Sequence, residues 1–436
     1  MNQAVIKQQG ESQPNSLFKN SNFLLLWSGQ MVSQLGDSFF NYACIIWIIN
    51  NMGAASLASI MMFASIPGVI LGPLAGTLVD TLNRKAIICV SDFFRGLLML
   101  GAAVLMYNGS FTGVHMYFIF ILVGIVSALF NPSIGAVLPT IIRRDDLQQA
   151  NSLRQVTQSG AGIVGPSLAA ILFASFGGSE ASLALPILFF INGSSYIISG
   201  FAELFLKIPA LKRKVDSSKN AFYNLKVDMI EGLKYIWESN LFLKMVSLFA
   251  IMNFFISPLI PVIIPGIMLE TLQISETFLG FIQSAIAFGF LIGALALSIL
   301  KSNKHAKLLT QSIYLMAVSI SLSGVVMAIP IFTNINPMVT VYTMLVLGAL
   351  IGISATCANI QVSVIFQKVV PDEKRGRVFG FLNTVSTGLI PISYGTMGAF
   401  ALILPLFYQP IIGGICIALG GYSLSKVKSF RALDKT

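Results

Sequence analysis

Long apolar stretches alternate with short polar breaks along the whole chain. Apolar residues dominate approximately 22–49, 54–79, 86–107, 116–142, 155–176, 184–206, 241–266, 277–300, 308–332, 338–366, 378–402 and 404–425. Each stretch meets or exceeds the roughly 20 residues that a helix needs to cross a bilayer. Lipid offers no partner for backbone N–H and C=O groups, so these stretches must be helices. The pattern predicts an all-α membrane protein with twelve transmembrane helices. The longest break, 207–240, divides them into two sets of six. Five regions follow: an N-terminal tail 1–20, a six-helix bundle 21–206, a linker 207–240, a second six-helix bundle 241–425 and a C-terminal tail 426–436.

Composition excludes other classes. Apolar residues make up 55% of the chain and charged residues 10%. The mean hydropathy is +0.82. Soluble domains carry about 25% charged residues, so a soluble enzyme, a secreted domain and a disordered chain are ruled out. The formal net charge is +10, and its distribution gives its meaning. Lys and Arg fall before span one and after spans two, four, six, eight, ten and twelve. The intervening connections hold only His115, Glu180, Glu270 and Glu276 among ionisable groups. By the positive-inside rule both termini are cytoplasmic, and nucleic acid is not a partner. The four cysteines lie in apolar stretches, without zinc spacing, and there are two histidines. No metal, disulfide framework or cofactor is expected. No phosphate-binding loop occurs either.

Within the linker, Phe222, Leu225, Met229, Ile230, Leu233, Ile236 and Trp237 make an apolar stripe at helical spacing. It reads as an amphipathic helix over 222–239, lying on the membrane interface. Its role is either a mechanical link between the halves or a regulatory, partner-binding element. The halves also echo each other. Gly72 and Gly76 have counterparts in Gly289 and Gly293, each pair followed by basic residues. Two six-span repeats around an axis normal to the membrane form one transporter plan, with a substrate site at their interface.

A carboxylate at the bilayer centre costs roughly 2.5–3.5 kcal/mol on insertion scales. Asp37 is the only one that these boundaries place deep. Gln30, Gln34 and Asn41 share its helix face, at offsets of four, three and four, so the stripe should face a wet cavity. Burial favours the neutral acid, and Asp37 would then be neutral in one state and ionised in another. It reads as a proton-binding site or as a counter-charge to a cationic substrate; the alternative is a structural acid bonded to a neighbouring helix. Asp92 and Arg95, one turn apart in span three, suit a structural ion pair. Glu203, near the end of span six, is expected to reach the interface. In the second half Asn253, Gln283, Asn359 and Asn383 are candidate cavity residues, as is Asn131 in the first. The abundant Phe and Met suggest a broad apolar cavity with few fixed polar contacts, suited to hydrophobic substrates of varied shape.

Gly76-Thr-Leu-Val-Asp80-Thr-Leu-Asn83-Arg84-Lys85 resembles the motif between spans two and three of the major facilitator superfamily. It departs from that pattern at Thr81, usually basic, and at Asn83, usually Gly. Asn there is frequent in the drug:proton antiporter branch, which includes macrolide efflux proteins and the enterobactin exporter. Gln34-Leu-Gly-Asp37, Asp92-Phe-Phe-Arg95-Gly96, Asn131-Pro-Ser, Leu147-Gln-Gln-Ala150-Asn151 and Val370-Pro-Asp-Glu-Lys-Arg-Gly376-Arg377-Val378 also match that branch. Gly162-Ile-Val-Gly165-Pro166-Ser-Leu-Ala169-Ala170 resembles the span-five antiporter motif, with Ala169-Ala170 in place of the usual Gly-Gly. It is read as coupling or as plain tight packing.

The resemblance implies the major facilitator fold, with two pseudo-symmetric halves, in a bacterial plasma membrane. It implies a secondary active efflux transporter, not an enzyme, acting as a monomer. The chain would export amphipathic or hydrophobic small molecules, macrolide-like drugs first, by proton antiport with alternating access. A siderophore or lipid-like solute is the alternative cargo. A non-transporting membrane sensor or scaffold on the same fold is the alternative class. The resemblance also implies that Gly76, Asp80, Arg84 and Lys85 form a cytoplasmic latch. Asp80 would pair with Arg84 or with the start of span eleven near Arg377.

Overall fold

The computed structural model describes residues 17–143, 146–176, 183–208, 233–234, 236–299 and 304–434. Most of the 222–239 stripe lies outside them. The side chains of Gly76, Asp80 and Asn383 also lie outside the described set. A 3-10 turn at Leu17–Lys19 leads into helices α1 (Ser21–Thr81), α2 (Arg84–Tyr107), α3 (Gly113–Ile141), α4 (Leu147–Ser175) and α5 (Ala184–Leu204). Then come α6 (Asn240–Pro258), α7 (Glu276–Ile299), α8 (His305–Phe332), α9 (Pro337–Val369), α10 (Asp372–Ala401), α11 (Tyr408–Ser425) and the short α12 (Lys428–Ala432).

The 61 residues of α1 would reach about 90 Å at 1.5 Å per residue, far beyond one bilayer. The helix is broken at Gly53, whose φ of 78° and ψ of 168° are non-helical and suit only a residue without Cβ. Spans one and two, expected as separate helices, are thus two arms joined at a single glycine. Nine helices among the described residues are long and apolar enough to cross a membrane. The second arm of α1, with α10 and α11, completes twelve crossings. Span seven also runs further than expected. Beyond Pro258 it continues as π-helical turns at Leu259–Ile263 and Gly266–Thr271. Pro258, Pro261 and Pro265 lack N–H groups, so the ordinary i→i−4 ladder cannot be kept there.

Packing is paired across the halves. In the first, α2 lies against α5 and α1 against α3; in the second, α8 lies against α11 and α7 against α9. Between the halves, α4 meets α7 and α1 meets α10. One end of the bundle, the basic face, carries the first and last described residues with Lys19, Arg84, Lys85, Arg143, Lys207, Lys304 and Lys426. There Asn20 caps α1 by accepting from Asn22 N and Phe23 N and donates to Ile141 O of α3 at 2.6 Å. Asp434 accepts from Ala306 N and Lys307 N at 2.8 and 2.9 Å. This places a carboxylate at the positive end of α8. Arg143 donates to half-buried Asp146 at 2.9 Å, which holds that carboxyl below its ordinary pKa.

At the opposite face the halves are bonded together. Ala54 N, which opens the second arm of α1, donates to Glu270 Oε2 at 2.9 Å. Tyr42 Oη donates to Glu276 O at 2.7 Å, and Ser167 Oγ to Ser284 Oγ at 2.7 Å.

Candidate functional site

Gln30, Gln34 and Asp37 recur at helical spacing on the first arm of α1 and share one face, as expected. They line a cavity of about 310 Å³ inside the first half, together with Ser33, Ser38, Arg95 of α2, Phe130 and Asn131 of α3, and Gln158, Ala161 and Gly162 of α4. Counted from the helix ends, these residues lie between the middle of the bundle and the basic face. Asn41, one turn beyond Asp37, is exposed and outside the cavity. The lining of this first-half cavity is mainly polar. Eight of the eleven lining residues are polar, and four of these are carboxamides.

Behind Asp37 lies a polar network built from three helices. Tyr196 of α5 donates its hydroxyl to Asp37 Oδ1 in a short hydrogen bond. Arg95 Nη1 donates to Tyr196 Oη at 3.4 Å, and Arg95 Nη2 to Asp92 Oδ1 at 2.6 Å. The guanidinium is sandwiched between the Phe130 and Tyr196 rings, 4.1 and 4.5 Å from their centroids. Such faces attract a cation through the ring quadrupole. The predicted Asp92–Arg95 pair therefore exists, but as part of a chain running Asp92–Arg95–Tyr196–Asp37. Close approach of α1 to α5 depends on Gly36, where an added Cβ would lie 2.2 Å from Ser195 Oγ.

One expectation about a carboxyl is corrected. Glu203 does not reach the interface: it is fully buried and accepts from Gln30 Nε2 at 3.3 Å. Asp92, near the start of α2, is fully buried as well. Helix packing places Asp37, Asp92 and Glu203 around Arg95. Sequence reasoning missed Tyr196, Glu203, Ser199 and Phe130. A signal was present: Asn192, Tyr196, Ser199 and Glu203 recur at offsets of four, three and four in α5, the same polar stripe that singles out span one.

The remaining candidates are dispersed. Asn253 donates to Phe249 O of its own helix at 2.9 Å, and Asn359 is exposed. Neither they nor Gln283 lines this cavity. Arg84 donates to Ala136 O at 3.2 Å and Lys85 to Leu204 O at 2.6 Å, so both bind to backbone near the ends of neighbouring helices. Asn83 accepts from Ala86 N as the N-cap of α2, a role for which Asn is well suited. In α4, Gly165 seats Ser38: an added Cβ would lie 2.3 Å from Ser38 Cβ. Gly162 lines the cavity and faces Ala287 of α7, and the Pro166 carbonyl lies against Gly280 of α7. Gly162, Gly165 and Pro166 thus lie where α4 meets both α1 and the other half.

Comparison with known proteins agrees with this architecture. The chain is 25% identical over 407 residues to macrolide efflux protein A of Streptococcus pyogenes, covering 91% of this chain and 94% of that protein. It is 26% identical over 405 residues to a putative bacilysin exporter of Bacillus subtilis (strain 168), covering 91% and 92%. A bacterial homologue of the iron transporter ferroportin, solved in an inward-facing state, superposes with a TM-score of 0.73 at 16% identity, covering 95% of this chain and all of that one. The Major Facilitator Superfamily model matches residues 26–396; the chain belongs to that superfamily and is a multi-pass membrane transporter, not an enzyme.

Proposed function

We propose that this transporter is a proton-driven exporter of small molecules in the bacterial plasma membrane, acting as a monomer with its basic face in the cytoplasm. The positive-inside rule assigns that face. With this orientation the structure is closed to the outside through the Ala54–Glu270, Tyr42–Glu276 and Ser167–Ser284 contacts. Rocking of one half against the other would open that side in turn. The observation that carries the coupling reading is Asp37: a carboxyl near mid-membrane that lines a polar cavity while Tyr196 bonds it from behind. An acid in that position exchanges a proton with the cavity when the surroundings change between states.

The relatives named for macrolide efflux and bacilysin export support an exported drug-like cargo. The carboxamide-rich wall favours a molecule with many hydrogen-bonding groups over a lipid-like solute. At about 310 Å³ the cavity is at the small end of ligand sites, so a larger cargo would extend into the space between the halves. The test uses purified protein in vesicles with a labelled macrolide and an imposed pH gradient. Asp37→Asn is expected to abolish gradient-driven accumulation while leaving substrate exchange without a gradient. Retention of gradient-driven accumulation would overturn the proton role.

A further inference from the structure

The mechanism above leaves Glu203 unused, and its surroundings are unusual. Among the described residues it is fully buried, and the one well-formed hydrogen bond to its side chain comes from a neutral amide, Gln30 Nε2. No hydrogen bond reaches Glu203 Oε2, Asp92 Oδ2 or Ser199 Oγ, all of them buried. Ser199, one turn before Glu203, lies beside both carboxyls without a well-formed bond to either. The groups facing Glu203 are Asp92, Arg95 and Cys89 of α2 and Gln30 of α1. Lys85 lies nearer the end of the helix, held on Leu204 O.

Charge counting then discriminates. Three carboxyls, Asp37, Asp92 and Glu203, share one guanidinium. If all were ionised, the interior would hold a net charge of −2, which low-dielectric burial strongly opposes. Asp92 touches Arg95 directly, and Asp37 is linked to it through Tyr196. Glu203 has no such link. An ionised carboxylate only accepts hydrogen bonds. Ser199 has a single hydroxyl proton to offer two neighbouring carboxyls, and a proton on Glu203 Oε2 supplies the second donor that this group of oxygens lacks.

We propose that Glu203 holds a proton in this conformation and is a second proton carrier of the transport cycle, released to the cavity beside Gln30. Gln30 both bonds Glu203 and lines the cavity, so a one-turn displacement of that amide opens Glu203 to water. In the release step the Oε2–H bond breaks, the proton passes to cavity water and the electron pair stays on Glu203. The carrier role rests on the proton-coupled reading above; the protonation itself does not.

Infrared pH-difference spectroscopy on the full-length protein in vesicles tests protonation without any cargo. One component of the protonated carboxylic acid carbonyl band is expected to be present in the wild type and in Asp37→Asn, and lost in Glu203→Gln. Glu203→Asp, which keeps a titratable group, should retain the band at a shifted position and serves if Glu203→Gln fails to fold. A band of unchanged intensity in folded Glu203→Gln, or one with no shifted component in Glu203→Asp, overturns the protonation. Transport of a labelled macrolide, with a trapped pH dye, tests the carrier role. Glu203→Gln should lose substrate-driven proton flux yet keep substrate exchange. Wild-type flux in Glu203→Gln overturns the proposal, whereas wild-type flux in Asp37→Asn overturns only the assignment of Asp37.

Discussion

Arg95→Met gives the most demanding test of the network. The substitution keeps an unbranched apolar side chain between the Phe130 and Tyr196 rings but removes the charge. It deletes the 2.6 Å bond to Asp92, the 3.4 Å bond to Tyr196 and the 3.4 Å bond to Ser91 O. Asp92 would be left as a fully buried, unpaired carboxylate. Breaking a buried pair from one side costs about 3–5 kcal/mol; the cation–π contribution, about 0.5–2 kcal/mol per ring, falls within that range. For a six-span half, each kcal/mol shifts the melting temperature by about 2–4 °C, so a fall on the order of 10 °C is expected. Tryptophan fluorescence during heating of the detergent-purified protein would follow it, because Trp27 bonds Thr157 across α1 and α4 and reports on this half. Adding Asp92→Asn to Arg95→Met should recover most of the loss. A single variant within about 2 °C of wild type would refute the claim that Arg95 neutralises buried acids. A double variant as unstable as the single one would show that lost packing, not charge, is responsible.

Other outcomes follow from the same geometry. Tyr196→Phe removes the hydroxyl between Asp37 and Arg95; it should cost about 1–3 kcal/mol and shift the pH profile of transport, measured in vesicles across a pH series. Glu270→Ala removes the acceptor for Ala54 N at the closed face. It should raise labelling of a cysteine placed at buried Leu279 by membrane-impermeant thiol reagents, in a background lacking the native cysteines; unchanged labelling would mean that the seal does not depend on this contact.

Much of the architecture was legible because lipid imposes a simple rule on sequence. Apolar length gave the crossings, and the alternation of Lys and Arg anticipated the basic face. Span limits failed where backbone chemistry overrides hydropathy. Gly53 joins two arms that look like separate helices, and the prolines of span seven extend it as wide turns instead of ending it. The candidate site was half legible. Gln30, Gln34 and Asp37 declare themselves by period, since they lie on one helix. Their partners Arg95, Tyr196 and Glu203 come from two other helices, and nothing in local spacing says which faces will meet. Glu203 misled for a physical reason: its position near a helix end suggested access to the interface. Tight packing of α1, α2 and α5 buries it instead.

The π-helical turns from Leu259 to Thr271 have a mechanical consequence. A wide turn holds its carbonyls and amides in poorer register than an α-helix, so rewinding it by a residue exchanges one imperfect ladder for another at small cost. This stretch carries Glu270, the clasp on Ala54. In the proposed orientation, the clasp at the outer face is therefore mounted on a spring and not on a rod. Local rewinding there can free the clasp before the whole half begins to turn.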